Sequence, residues 1–110
     1  MTEISLFRYP IQEGKKEIWL NWCDQVTKRK DEVLATLREE GMLTEACFID
    51  SEEKHVYIFV RSNDLSKAFK AGQTSSHKID KEHKENRLTS LLEPVELKQL
   101  FYYENSKDSQ

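Results

Sequence analysis

The stretch Met42–Arg61, M-L-T-E-A-C-F-I-D-S-E-E-K-H-V-Y-I-F-V-R, constrains the fold more than any other part of this chain. It holds two runs rich in β-branched and aromatic residues, separated by the polar Ser51-Glu52-Glu53-Lys54, and so predicts a β-hairpin with its turn there. Pairing Ser51 with Lys54 sets Ile49 against Val56, Cys47 against Ile58 and Glu45 against Val60. The opposite face then holds Asp50 with His55, Phe48 with Tyr57, Ala46 with Phe59 and Thr44 with Arg61. Slipping by one residue would mix the two sets, because side chains alternate along a strand. A half-exposed antiparallel strand is apolar on one face and polar on the other. This hairpin is aliphatic on one face and aromatic on the other. Each of Phe48, Tyr57 and Phe59 left in water forgoes about 1.5–3 kcal/mol, so both faces call for a cover.

The chain has 110 residues, which predicts one domain, assigned here to residues 1–104, with a polar tail at 105–110 expected to be disordered. A net charge of −3 argues against sequence-independent binding to nucleic acid or to anionic membranes. The first ten residues contain an early acid and no apolar h-region, so no signal peptide is expected. No apolar run approaches the roughly 18 residues of a membrane span. The two cysteines, Cys23 and Cys47, both at expected core positions, fit a reduced, cytoplasmic protein.

Residues 3–10 alternate as a first strand, with Ile4 and Leu6 assigned to the aliphatic face and Phe7 and Tyr9 to the aromatic one. Pro10 closes it. From Lys15 to Glu40, Trp19, Trp22, Cys23, Val26, Val33, Leu34 and Leu37 fall on one helical stripe at about 100° per residue. The polar Thr27–Glu32 in its middle marks a candidate break, and Gly41 a stop. A short helix starts at Asn63-Asp64-Leu65, with Asn63 or Ser62 as its cap, and ends near Gly72, and a second spans His77–Leu92. Glu93-Pro94 breaks it, and Val95–Tyr103 is expected as a last strand. The resulting order is the α+β, ferredoxin-like βαββαβ arrangement with a four-stranded antiparallel sheet.

With helices on the aliphatic face, the aromatic face is left open. A second copy can cover it, giving a homodimer with a space between two sheets. Alternatively, single-stranded RNA can stack on it. The basic-Gly-aromatic opening of RNA-recognition strands is absent, since His55 follows Lys54, and no basic surround accompanies the aromatics. No nucleic-acid partner is therefore expected. The blocks Arg29–Gly41, Glu45–Asp50 and His77–His83 resemble an uncharacterised bacterial family, a domain of unknown function. Its members are similar to dimeric α/β-barrel proteins, the superfamily that includes antibiotic-biosynthesis monooxygenase-like domains. The resemblance runs from Glu3 to about Leu100 and implies the same fold and a homodimer, with no assigned activity to carry over.

His77-x-x-Asp80-x-x-His83 is the sharpest candidate for chemistry. On one continuous helix Asp80 would neighbour both histidines and could orient either imidazole for proton transfer. The spacing matches no standard metal motif, so neither a metal nor a cofactor is expected. Glu45 falls on the aliphatic face, where its pKa would rise unless a basic side chain pairs with it. Trp19 and Trp22 are expected to pack in the core, and Lys81–Arg87 to form a solvated helix face. Phe7, Tyr9, Tyr57, Phe59 and Arg61 are the expected ligand-binding set, lining a space between sheets. The chain has no Gly-rich phosphate loop, Cys-x-x-Cys pair or nucleophile elbow. Two function classes follow: a homodimeric domain that binds a small apolar or aromatic molecule, or a cofactor-independent monooxygenase- or isomerase-like enzyme with a histidine base.

Overall fold

The expected hairpin forms with the expected pairing. In a computed structural model that describes residues 2–105, β2 (Met42–Ile49) runs antiparallel to β3 (His55–Ser62). Glu45 faces Val60, Cys47 faces Ile58 and Ile49 faces Val56, with one irregularity between Met42 and Thr44. Asp50 closes the turn by accepting from the backbone N–H groups of Lys54 and His55. The first strand, β1 (Glu3–Pro10), lies on the other side of β3, and β4 (Val95–Glu96) beyond it, giving the order β2-β3-β1-β4. Four helices cover one face: α1 (Lys16–Lys28), α2 (Lys30–Glu40), α3 (Leu65–Gln73) and α4 (Lys78–Ser90). Val56, Ile58 and Val60 of β3 are buried beneath them, against Trp19, Trp22, Ile79 and Leu91.

The candidate break in Thr27–Glu32 falls at Arg29, whose φ of −107° and ψ of 43° leave the helical region, so the stripe from Lys15 to Glu40 is two helices. Two expectations are corrected. The last strand is two residues long, because only Val95 and Glu96 pair with β1. Leu97 adds one further hydrogen bond to Leu6 before the chain leaves the sheet. Most consequential is the phase of β1. Ser5 pairs with Val60, Phe7 with Ile58 and Tyr9 with Val56. Directly paired residues share a face, so Phe7 and Tyr9 lie under the helices, where Phe7 meets Phe69 edge-to-face at 5.9 Å. Ile4, Leu6 and Arg8 lie instead on the open face with Arg61, Phe59 and Tyr57. The tail assigned to 105–110 falls, except for Asn105, outside the described residues.

No helix among the described residues is long and apolar enough to cross a membrane. Gly41 ends α2 in the left-handed region at φ 80°, with its N–H returning to Arg38 and Leu37. A methyl group there would meet nothing within 4 Å, so the whole cost of Gly41→Ala is conformational. Urea unfolding of Gly41→Ala is expected to show a loss of about 1–2 kcal/mol.

Candidate functional site

The open part of the molecule is the helix-side face of the edge strand β2. On β3 that face is sealed, yet Glu45, Cys47 and Ile49, which share it, remain exposed. α2 touches β2, but the helices leave Glu45, Cys47 and Ile49 uncovered, so that edge opens as a shallow cleft. This corrects the expectation of two buried cysteines: Cys47 is exposed and Cys23, on α1, half-buried. The two thiols are neighbours. The neighbouring Cys23 and then the Trp19 N–H hold the Cys47 thiol below the ordinary range against its burial, while Cys47 and burial raise the Cys23 thiol.

Glu45 dominates the electrostatics. The residue as a whole is exposed, but protein crowds its carboxyl, and loss of hydration pushes its pKa up to about 7. Glu40, at the end of α2, and Asp80, on α4, push it the same way, while Arg87 pulls against them. Glu40 is itself raised, chiefly by burial and then by Asp80. Tyr9 stands beside Glu45, Cys47 and Arg87, and burial raises its hydroxyl pKa. Neither Tyr9 nor Glu45 owes any of its shift to a hydrogen bond from the protein. None of the ion pairs among the described residues includes Arg87. Arg87 thus leaves the solvated face expected for Lys81–Arg87 and acts on Tyr9, Glu45 and His83.

The histidine motif does not assemble as a unit. His77 caps α4 with extended backbone, φ −65° and ψ 132°, its carbonyl accepting from the Asp80 N–H at 3.2 Å, but its ring turns away from the Asp80 carboxylate. Its ring pairs with Glu39 at 2.6 Å, which raises its pKa. Asp80 accepts hydrogen bonds from Thr36 and Ser75 rather than from a histidine. His83 turns into the core, where Trp22 Nε1 donates to its Nδ1 at 3.0 Å and the Trp19 ring lies edge-on at 5.7 Å. Burial, aided by Arg87, lowers its pKa to about 4. The imidazole is therefore neutral at pH 7, with its proton on Nε2.

The expected ligand-binding set is divided by the sheet. Phe7 and Tyr9 face the helices, and Tyr57, Phe59 and Arg61 the open side. Arg61 donates to Thr44 Oγ1 at 3.3 Å and pairs with Glu104 at 3.2 Å. Among the described residues no three His, Cys, Asp or Glu side chains come together as a metal site. Sequence reasoning singled out Glu45, because a carboxylate at an aliphatic-face position is conspicuous. It missed Tyr9 as a neighbour of Glu45, for want of the β1 register, and it missed Arg87.

The family model described as "Family of unknown function (DUF6176)" matches residues 2–101. The chain belongs to that family. A search of curated proteins finds no match. Among solved structures, the chain is similar to a protein provisionally called an antibiotic biosynthesis monooxygenase from Bacteroides thetaiotaomicron, at 22% identity, 96% coverage of each chain and a TM-score of 0.64. L-rhamnose mutarotase from Formosa agariphila shares 23% identity over 93% of this chain and 99% of its own, with a TM-score of 0.59. Rv0793 from Mycobacterium tuberculosis shares 9% identity, over 94% and 100% of the two chains, at a TM-score of 0.61. At these identities the likeness establishes the fold, the ferredoxin-like sheet with helices on one face.

The two strongest shifts act on stability in opposite senses. Glu45 rises from an ordinary 4.5 to about 7, so between those values the folded chain holds a proton that the unfolded chain has released. Its contribution falls as pH rises through that window. His83 drops from an ordinary 6.5 to about 4, so the unfolded chain takes up a proton that the folded one refuses. Its contribution is lost as pH falls through that window. Replacing Glu45 with Gln removes only the first effect. Denaturation of Glu45→Gln across about pH 5 to 7 is expected to show stability climbing more steeply with pH than in wild type.

Proposed function

We propose that this chain is an acid–base enzyme for small carbonyl or hemiacetal compounds, with Glu45 as the group that moves the proton. The observation that carries the reading is Glu45 itself: an exposed residue at the open edge of β2 whose crowded carboxyl is raised to about 7, beside Tyr9 and Cys47. A group half-protonated at the working pH can both take and give a proton, which makes it a strong general acid–base catalyst. His83, neutral and a weak base with pKa about 4, is the poorer candidate, so the base expected from the sequence moves from histidine to Glu45. The imidazole instead presents a fixed Nε2 donor.

The fold supports this reading by analogy. One relative is an L-rhamnose mutarotase and another carries a provisional monooxygenase name. Mutarotation opens and recloses a sugar hemiacetal. One group takes the proton of the anomeric hydroxyl, the ring C–O bond breaks, and the ring oxygen gains a proton. Glu45 is suited to the first of these steps and, on reclosure, to the reverse.

The same proposal includes a second copy of the chain on the open sheet face. Ile4, Leu6, Phe48, Tyr57, Phe59 and Val95 share that face, and Phe48 is 60% exposed. No helix among the described residues lies there to cover it. A reducing, cytoplasmic setting fits the two free thiols. A small apolar ligand held between the two sheets is the second reading, favoured only by the aromatic content of this face.

Anomer exchange of L-rhamnose and related aldoses, followed by NMR, tests the enzyme reading. Wild type is expected to speed exchange, and Glu45→Gln to lose about 10²–10⁴-fold of that rate. Equal rates in both proteins, or a Glu45 side chain titrating in the ordinary carboxylate range, would overturn it. For assembly, sedimentation of wild type is expected to give a dimer and Phe59→Glu a monomer, since the new charge would be buried unpaired. A monomeric wild type at micromolar concentration would refute the dimer.

A further inference from the structure

The chain holds two cysteines, and the fold brings them together from separate elements. Cys47 pairs with Ile58 on the helix-side face of β2, at the edge that the helices leave uncovered, and the residue is exposed. Cys23 lies on α1, half-buried and packed against the core cluster that contains Ile58. It follows the buried Trp19 by four residues, so the two share one face of α1. Both act on the Cys47 thiol. Cys23 favours its ionised form most, burial opposes it, the Trp19 N–H favours it and the Glu45 carboxylate opposes it, and the balance leaves it below the ordinary range. Cys23 is raised, by Cys47 and by burial, and keeps its proton. An accessible sulfur that ionises easily beside a sheltered one that does not is the arrangement of an attacking and a resolving thiol. With no third cysteine in the chain, Cys23 is the one thiol of the same chain that can resolve an oxidised Cys47.

We propose that Cys23 and Cys47 are a redox-active pair: a hydroperoxide oxidises Cys47 at the open edge of β2, and Cys23 on α1 resolves the product into a disulfide that ties α1 to the edge strand. In the first step the Cys47 thiolate attacks one oxygen of the peroxide and an S–O bond forms. The O–O bond breaks, and its electron pair leaves on the second oxygen, which takes a proton from solvent. Cys47 is then a sulfenic acid and the peroxide is reduced to water or an alcohol. In the second step the Cys23 sulfur attacks the Cys47 sulfur and gives up its proton. The S–O bond breaks and the departing hydroxide takes that proton as water. Two thiols and one peroxide thus give one disulfide. Small thiols reverse it: one attacks a sulfur of the disulfide, a second releases the mixed disulfide, and both cysteines regain their protons. Cys47 lies on the opposite side of the sheet from the face proposed for a second copy, so pairing of two chains leaves it accessible. The pair needs no proton transfer by Glu45 and stands whether or not that residue is catalytic.

Hydrogen peroxide is the probe. Fully reduced protein is treated with it in small excess, quenched with iodoacetamide, unfolded and mapped by mass spectrometry. Wild type is expected to lose two hydrogens, to take up no carboxamide group and to yield a linked Cys23–Cys47 peptide, and dithiothreitol to restore both thiols. Brief iodoacetamide labelling of the untreated, folded protein is expected to modify Cys47 about tenfold or more faster than Cys23. Cys23→Ser removes the resolving sulfur, so dimedone is expected to trap Cys47 there as its sulfenic acid. Cys47→Ser is expected to slow oxidation of the remaining thiol by about tenfold or more, with near-ultraviolet circular dichroism checking that each variant is folded. Four wild-type results would each overturn the proposal, and none depends on a variant. They are two thiols that survive the peroxide, sulfinic acid at Cys47 with Cys23 still free, chains joined to one another through Cys47, and Cys23 labelled before Cys47.

Discussion

Trp22 is the joint on which the architecture depends. Its ring is buried between α1 and the sheet, and its N–H donates to His83 on α4. The Arg29 guanidinium lies over the same ring, 5.8 Å from its centre, and binds both Glu32 and Glu82. One side chain thus fixes the distance between α1 and α4, the point where the long helical stripe breaks, and the tautomer of the imidazole. Remove that joint and α4 loses its registration, and with it the placement of Asp80 and Arg87 relative to β2.

That registration sets the chemistry of the cleft. Three carboxyls, Glu40, Glu45 and Asp80, act on one another from α2, β2 and α4. Asp80 is held by two hydroxyl donors, Thr36 and Ser75, and Glu40 by Thr36 at 3.1 Å. Glu45 has poor hydration and two acidic neighbours, and no donor contributes to its shift. The proton accordingly settles there. Like charges sharing a site raise the pKa of the least supported member, and here that member is the one facing the open cleft.

The sequence makes some of this legible and hides the rest for identifiable reasons. The hairpin register reads correctly because each phase gives a distinct set, aliphatic or aromatic, and a slip would blend them. The β1 phase does not, since Leu6 and Phe7 are adjacent and both apolar, so either phase offers an apolar face. Only pairing with β3 decides, and it puts Phe7 and Tyr9 under the helices. The break at Arg29 is visible as a polar stretch in an amphipathic pattern. The turn of the His77 ring to Glu39 rather than to Asp80 is not, because it depends on where α2 places that carboxylate. Glu45 shows itself as a charge out of place.

The eight residues of β1 serve two masters. Its odd positions, Ser5, Phe7 and Tyr9, furnish the floor beneath the helices, and its even positions, Ile4, Leu6 and Arg8, belong to the opposite surface. Neighbours in the chain thus answer to unrelated selective demands, one set by what the cleft accommodates and the other by what lies against the bare sheet. Within a lineage the two can drift on separate clocks. A recombined or redesigned member could exchange one surface wholesale by editing every second codon, leaving the other intact.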